Sequence, residues 1–362
     1  MAFLKALATW SAEHGRHLPW RACGDPYRVW ISEIMLQQTT VTAVIPYFER
    51  FLAAFPTLSD LAAADESAVL RLWEGLGYYS RARNLHAAAR KLMTEQAGQF
   101  PCDVATLQSL PGIGRYTAGA IASFAFNAPA PIVEANTQRL YARLLGEPRD
   151  VKTSAVQLRL WSFATELVTT QTTDNFGPSE INQSLMDLGA TVCTPTSPDC
   201  AHCPASRFCL AYETEQQHII PQLPQRPPLT DVVDITVAIQ QSGRYLLRQR
   251  QPGERWAGLW DFPRYTVPAE QLPVDVLGRQ VRDQLGLDLH IGPQVTQFKH
   301  GVTRYRITLL CHTATVISGD IAESDSVCWA SPADFESYAL SVTGRKFARW
   351  LQTQSARLPF DQ

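Results

Sequence analysis

The chain has 362 residues, 45% of them hydrophobic and 18% charged, which supports two or three packed domains and excludes a disordered chain. Its formal net charge of −2 excludes a uniformly basic surface, so any nucleic-acid contact is a local patch. No run of about 18 apolar residues is present, which argues against a membrane span.

From the N-terminus, Met1–Trp20 contains Glu13 and lacks an apolar stretch followed by a cleavage site, so it does not read as a signal peptide. The expected compartment is the cytoplasm, where eight cysteines point to metal binding or chemistry rather than disulfides. Residues 1–212 are expected to be almost entirely helical. Apolar positions recur at helical spacing in Val41–Phe55, Ala82–Met93, Tyr116–Phe126 and Ala155–Val168. Short breaks such as Gly75-Leu76-Gly77 and Leu110-Pro111-Gly112 separate them. Arg71, Arg81, Arg83, Arg90 and Lys91 form a basic stretch opposed only by Glu74, with phosphate contacts and ordinary solvated helix charges as the two readings.

Cys193-x6-Cys200-x2-Cys203-x5-Cys209 places four thiols within 17 residues, enough to wrap one 4Fe–4S cubane with one thiolate per iron. A zinc knuckle is the alternative, but zinc sites usually pair two Cys-x2-Cys units, and only one is present. Residues 213–230 carry Gln216-Gln217 and Pro221, Pro224, Pro227 and Pro228, and are expected to be an extended linker. Beyond it, Asp234–Gln240, Tyr245–Gln249 and Arg304–His312 alternate like strands, with a helix over Val274–Leu285. A mixed α/β (α+β) domain over 231–362 follows from this pattern.

Leu110-Pro111-Gly112-Ile113-Gly114-Arg115-Tyr116-Thr117-Ala118-Gly119, together with the cysteine spacing, resembles the helix-hairpin-helix glycosylases of the endonuclease III superfamily. Leu18-Pro19-Trp20-Arg21, Ser32-Glu33-Ile34-Met35-Leu36-Gln37-Gln38-Thr39 and Gly75–Leu85 narrow the resemblance to adenine DNA glycosylases of the MutY type. The resemblance runs over nearly the whole chain. It implies an all-α helix-hairpin-helix glycosylase domain followed by a Nudix-like domain, and a monomeric base excision repair enzyme acting on double-stranded DNA. The mispaired base is adenine opposite 8-oxoguanine or guanine, and the compartment is the cytoplasm of a bacterial-type cell, at the nucleoid.

Glycines let a backbone approach closely, and a helix N-terminus offers N–H groups to phosphate, so Gly112 and Gly114, with Arg81 and Arg83, are the expected DNA-backbone contacts. Removing a flipped-out purine needs an acid for the base and a carboxylate for the cationic sugar. Glu33, in an apolar helical segment where burial raises a carboxyl pKa, matches the acid position. Where the family has Asp in Asp-Gly-Asn, this chain has Glu134-Ala135-Asn136, so its carboxylate sits one methylene further out. Asn136 is expected to orient that carboxylate or a water. Tyr116 stands where bifunctional relatives carry a Schiff-base lysine, which implies base release without strand cleavage. The resemblance places Tyr116 against the second carboxylate.

By resemblance too, Trp20, Arg21 and Gln183 surround the adenine, while Gln38 and Tyr78 wedge into the duplex with Leu36 and Leu76 as apolar support. Trp256–Pro263 resembles the entry to a Nudix-like domain. Fitting a Nudix box onto the segment ending Gly286-Leu287 puts Gln271, Gln280 and Gln284 on acid positions, leaving only Asp283, too few carboxylates for Mg²⁺. The domain is therefore expected to bind rather than hydrolyse. The family's Phe-Ser-His loop is replaced here by Val302-Thr303-Arg304, so Thr303 and Arg304 are the expected opposite-base contacts. A glycosylase with shifted substrate, such as T:G, and a catalytically weak lesion binder are the alternative readings.

Overall fold

The computed structural model describes residues 2–21, 23–170, 176–222, 228–268 and 270–355; Pro224 and Pro227 of the expected linker lie outside them. Helices come first: α1 (Ala2–His14), α2 (Pro26–Leu36), α3 (Val41–Ala54), α4 (Leu58–Ala63), α5 (Glu66–Leu72), α6 (Ser80–Glu95), α7 (Val104–Gln108), α8 (Arg115–Phe126), α9 (Ala135–Leu144), α10 (Ser154–Thr169), α11 (Pro178–Thr191) and the short α12 (Leu210–Glu213). Caps set several of the boundaries. Asp25 accepts from the N–H groups of Tyr27 and Arg28 ahead of Pro26, and Asp103 accepts from Thr106 N–H at the start of α7.

Then follow β1 (Thr230–Gln241), β2 (Arg244–Gln249), β3 (Trp260–Asp261), β4 (Arg264–Val267), α13 (Pro273–Leu285), β5 (Asp288–Val302), β6 (Tyr305–Ser318), β7 (Val327–Ala330) and α14 (Val342–Ser355). Packing divides the chain into two units, Met1–Ala64 with Arg83–Gln225, and Asp65–Ala82 with Arg226–Gln362.

In the first unit, Leu4, Leu7 and Trp10 of α1 share a core with Leu140 and Leu144 of α9, Leu160 of α10, and Leu185 and Leu188 of α11. The start of the expected linker joins this core instead of running extended. Ile220 is buried there, and its carbonyl accepts from Arg143 Nε at 2.9 Å. Its apolar side chain finds a site that composition alone did not reveal. Among the described residues, no helix is long and apolar enough to cross a membrane.

The second unit is built on a mixed sheet, order β3-β2-β1-β6-β5, with β4 also pairing β1 and β7 pairing β2. β1 and β6 run parallel, and the other neighbours antiparallel. Period-two alternation along β1 sends Ile235, Val237 and Ile239 toward Val276, Leu277 and Val281 of α13. Ala238 faces the other way, into the cluster holding Phe335 and Phe347. The sheet is thus covered on both faces. β5 lacks a legible alternation because register shifts between Ile291 and Thr296 break its period.

Candidate active site

The turn between α7 and α8 is shaped by Gly112, at φ +75°, where a Cβ would lie 2.7 Å from Asn84 Cβ on α6. Only glycine lets the turn press this closely. Gly114 caps α8 in an extended conformation, and both glycines are exposed. The unpaired N–H groups of the first turn of α8 therefore lie at an open end, as phosphate binding requires.

In the first turn of α8, the Tyr116 hydroxyl donates to Glu33 Oε2 at 2.5 Å. The sequence expectation paired Tyr116 with the second carboxylate; its hydrogen bond goes to the first, because α2 packs against α8 at this level. Glu33 is 4% exposed. Burial pushes its carboxyl up to about 7, against the pull of the Tyr116 hydrogen bond, and the neighbouring Glu134 adds to the rise.

Glu134 is the N-cap of α9. One carboxylate oxygen accepts from Thr137 N at 2.9 Å, the other from Asn136 N at 2.9 Å and Asn136 Nδ2 at 3.3 Å. Burial raises this carboxyl, and the two backbone N–H groups oppose the rise. The helix-start role and the place in the pocket thus belong to the same side chain. A Cβ on Gly119 would collide with the carbonyl of Pro131, so glycine lets α8 lie against the strand-like segment leading to Glu134.

A cavity of about 320 Å³ joins these groups, with Trp20, Arg21, Leu36, Gln38, Asn136 and Gln183 in its wall. That volume is at the small end for ligand pockets. Trp20 is buried edge-on to Phe48, 5.2 Å between centroids. Gln38 is exposed at φ +61°. Sequence reasoning missed two groups here. Asp187, 1% exposed, accepts from Arg21 Nη1 at 2.6 Å and Nη2 at 2.8 Å, and from Arg16 Nε at 2.6 Å. Arg16 also lines the cavity. The available signal was spacing: Asp187 is four residues after Gln183, on the same face of α11.

The other end of α9 meets the cysteine loop. Arg139 bridges Asn136 Oδ1 (3.0 Å), the Gly189 carbonyl (2.5 Å) and the Cys193 carbonyl (2.7 Å). Arg143, 2% exposed, donates to Cys193 Sγ at 3.2 Å and to the Thr194 carbonyl at 2.7 Å. Cys193, Cys200, Cys203 and Cys209 line one small cavity, and none of them is paired in a disulfide. Among the described residues, no three His, Cys, Asp or Glu side chains converge on a single-ion site. A buried guanidinium beside one sulfur of this shared cavity suits a group of negative thiolates.

In the second unit, Leu76 is buried and Tyr78 is 51% exposed. Arg81 does not serve as the expected phosphate contact. It is 9% exposed, donates to the carbonyls of Leu76 (3.1 Å) and Gly77 (3.2 Å), and burial lowers its pKa to about 10. Arg83 is half-buried on α6. Thr303, at φ +50°, and Arg304 form the exposed tip of the β5–β6 hairpin, where Val302 pairs with Tyr305. Arg304 donates to the Tyr305 hydroxyl at 3.1 Å. On α13, Gln280 and Gln284 hydrogen-bond each other, and Arg279 donates to Gln271, so the box positions are occupied by an amide network.

A profile of the HhH-GPD superfamily of base excision DNA repair proteins matches residues 31–166, and a NUDIX domain profile matches residues 235–350. The mouse adenine DNA glycosylase is 35% identical over 84% of this chain and 70% of its own length. The human adenine DNA glycosylase is 33% identical over 98% of this chain and 74% of its own length. Among solved structures, a thermostable thymine-DNA glycosylase superposes with a TM-score of 0.52 at 28% identity, covering 59% of this chain and 95% of that one.

Proposed function

The chain belongs to the adenine DNA glycosylase family, and from that premise we propose that Glu33 and Glu134 carry its base-removal chemistry. The enzyme is a DNA N-glycosylase of base excision repair that removes adenine. Glu33, held protonated near neutrality, donates its proton to the flipped adenine, so the base leaves with both electrons of the C1′–N9 bond. The Glu134 carboxylate, fixed by the N-terminus of α9, faces the cationic sugar until water adds to C1′ and gives its proton to the Glu33 carboxylate, which restores the acid. Tyr116 holds the Glu33 carboxyl in place, and Asn136 holds that of Glu134. With Tyr116 in place of a lysine, no Schiff base forms and the strand stays intact.

The observation that supports this reading best is the convergence of two carboxyls with raised pKa values in one base-sized cavity. Trp20, Arg21 and Gln183 would contact the base, Gln38 and Tyr78 would enter the stack over Leu36 and Leu76, and Gly112, Gly114 and Arg83 would meet the backbone. Thr303 and Arg304 would read the opposite base, 8-oxoguanine or guanine. Cys193, Cys200, Cys203 and Cys209 would hold a 4Fe–4S cluster, which when bound supplies a tie across the 17-residue loop on which Arg139 and Arg143 rest. The enzyme works as a monomer in the cytoplasm, on nucleoid DNA.

Single-turnover reactions on A:8-oxoguanine, A:G and T:G duplexes test the reading. Release of adenine from the first two, with nicking only after alkali, is the expected outcome. Release from T:G alone, or tight binding with no release from any duplex, would overturn it.

A further inference from the structure

Glu74 was the one acid in a basic stretch, and the structure gives it a specific partner. It lies in the tight turn Trp73–Tyr78 between α5 and α6, within the second unit. Its carboxylate accepts from Arg345 of α14 in bidentate fashion, Nε at 2.7 Å and Nη2 at 2.9 Å. The two residues are 271 positions apart in sequence.

Arg345 is 6% exposed, and its guanidinium is held before it meets Glu74. Nη1 donates to the Phe335 carbonyl at 2.7 Å, and Nη2 to the Tyr338 carbonyl at 2.6 Å. A planar fork fixed by two carbonyls cannot follow a moving partner, so the turn must come to it. A surface ion pair between two mobile chains would do little, whereas this one is mostly removed from water and geometrically closed.

The turn itself is stiff. The Trp73 indole donates to the Gly77 carbonyl at 3.1 Å, and Arg81 donates to the carbonyls of Leu76 and Gly77. Gly75, Gly77 and Tyr78 all have positive φ, +104°, +72° and +47°. For tyrosine that conformation is disfavoured, so surrounding contacts must hold it. Tyr78 stands out half exposed from this platform, with Arg81 over its ring at 5.6 Å.

We infer that Glu74 and Arg345 form a positioning pair, in which α14 of the Nudix-like fold sets where the turn presents Tyr78 to DNA. Arg345 is thereby a determinant of base extrusion although it touches neither the base nor the sugar. This rests on the reading that Tyr78 enters the duplex.

The test uses the full-length protein and the variants Glu74→Gln, Arg345→Met, the double variant and Tyr78→Ala. A 2-aminopurine reporter beside the target adenine reads extrusion. Affinity for a duplex carrying an abasic site, which needs no extrusion, and thermal melting serve as controls. Each single variant is expected to slow extrusion about tenfold, with the double variant no slower than either single one, because groups acting as a unit are non-additive. For the Glu74 and Arg345 variants, abasic-duplex affinity is expected to stay within about twofold, since neither residue is a contact to DNA. If Tyr78→Ala slows extrusion and the pair variants do not, the pair has no positioning role. The same conclusion follows if the double variant is multiplicatively slower, or if extrusion falls only in step with melting temperature. If Tyr78→Ala itself leaves extrusion unchanged, the underlying reading of Tyr78 fails and the inference fails with it.

Discussion

Two buried carboxylates, one in each unit, show how burial serves opposite ends. Asp234, 2% exposed on β1 of the second unit, accepts from Arg264 Nε at 2.9 Å, Arg255 Nη2 at 3.1 Å and Thr266 Oγ1 at 2.9 Å. Glu33, 4% exposed in the first unit, accepts from a neutral phenol, while nearby Arg21 is committed to Asp187. Asp234, met by two guanidiniums and a hydroxyl, is a structural group that ties β1 to its neighbours. Glu33, with no guanidinium bonded to it, is pushed up to about 7 by burial and can do chemistry at neutral pH.

The sharpest way to break that contrast is to exchange each acid for its amide. Glu33→Gln is expected to cut single-turnover base release by about a thousandfold or more, since it removes a general acid, while leaving duplex affinity largely intact. Retained turnover would remove Glu33 as the acid. Asp234→Asn should act on folding instead. It removes the nearer of the two carboxylates that compensate Arg264, 1% exposed, leaving Asp261 at 4.0 Å, and should destabilise the second unit by about 3 kcal/mol, read from thermal or urea melts.

The pH dependence of Glu33 sharpens its side of the contrast. The folded-state pKa of Glu33 is raised, to about 7 from 4.5, so the native protein binds a proton that the unfolded chain has released in that window. Its contribution to stability is therefore full below pH 4.5 and lost as pH rises toward 7. At pH 8 the Glu33→Gln variant is expected to be more stable than the parent by on the order of 1–3 kcal/mol. Base release by the parent should fall as pH rises through the same pKa. A flat profile from pH 6 to 8.5, roughly the range straddling that pKa, would contradict the assignment.

The smallest expected effect concerns the extra methylene of Glu134. Its carboxylate is drawn back onto the N–H groups of Asn136 and Thr137, the same groups a shorter capping Asp reaches. Glu134→Asp should therefore change the rate by less than about tenfold, whereas Glu134→Gln should cost about a hundredfold. A Glu134→Asp variant as slow as Glu134→Gln would mean that the site depends on the longer side chain.

Much of the architecture was legible because it is local. Helical periodicity located α3, α6, α8 and α10, and alternation located β1, β2 and β6. Position-specific motifs led to Glu33, Tyr116, Glu134 and the four cysteines, which the fold gathers around two cavities joined by α9. What escaped were partners chosen across long sequence separations. Arg16 and Arg21 find Asp187, Arg143 finds Cys193, and Glu74 finds Arg345. Arg81 looked like a DNA contact and was instead spent on two carbonyls of its own turn.

By itself the sequence determined the order of elements, the glycines that permit close approach, and the residue types able to do this chemistry. Those depend on backbone sterics and spacing within a few residues. Only the tertiary structure decided which buried charge is compensated and which is left to titrate. Desolvation and pairing are properties of surroundings assembled from distant segments, and at Glu33 those surroundings offer a phenol where Asp234 meets two guanidiniums.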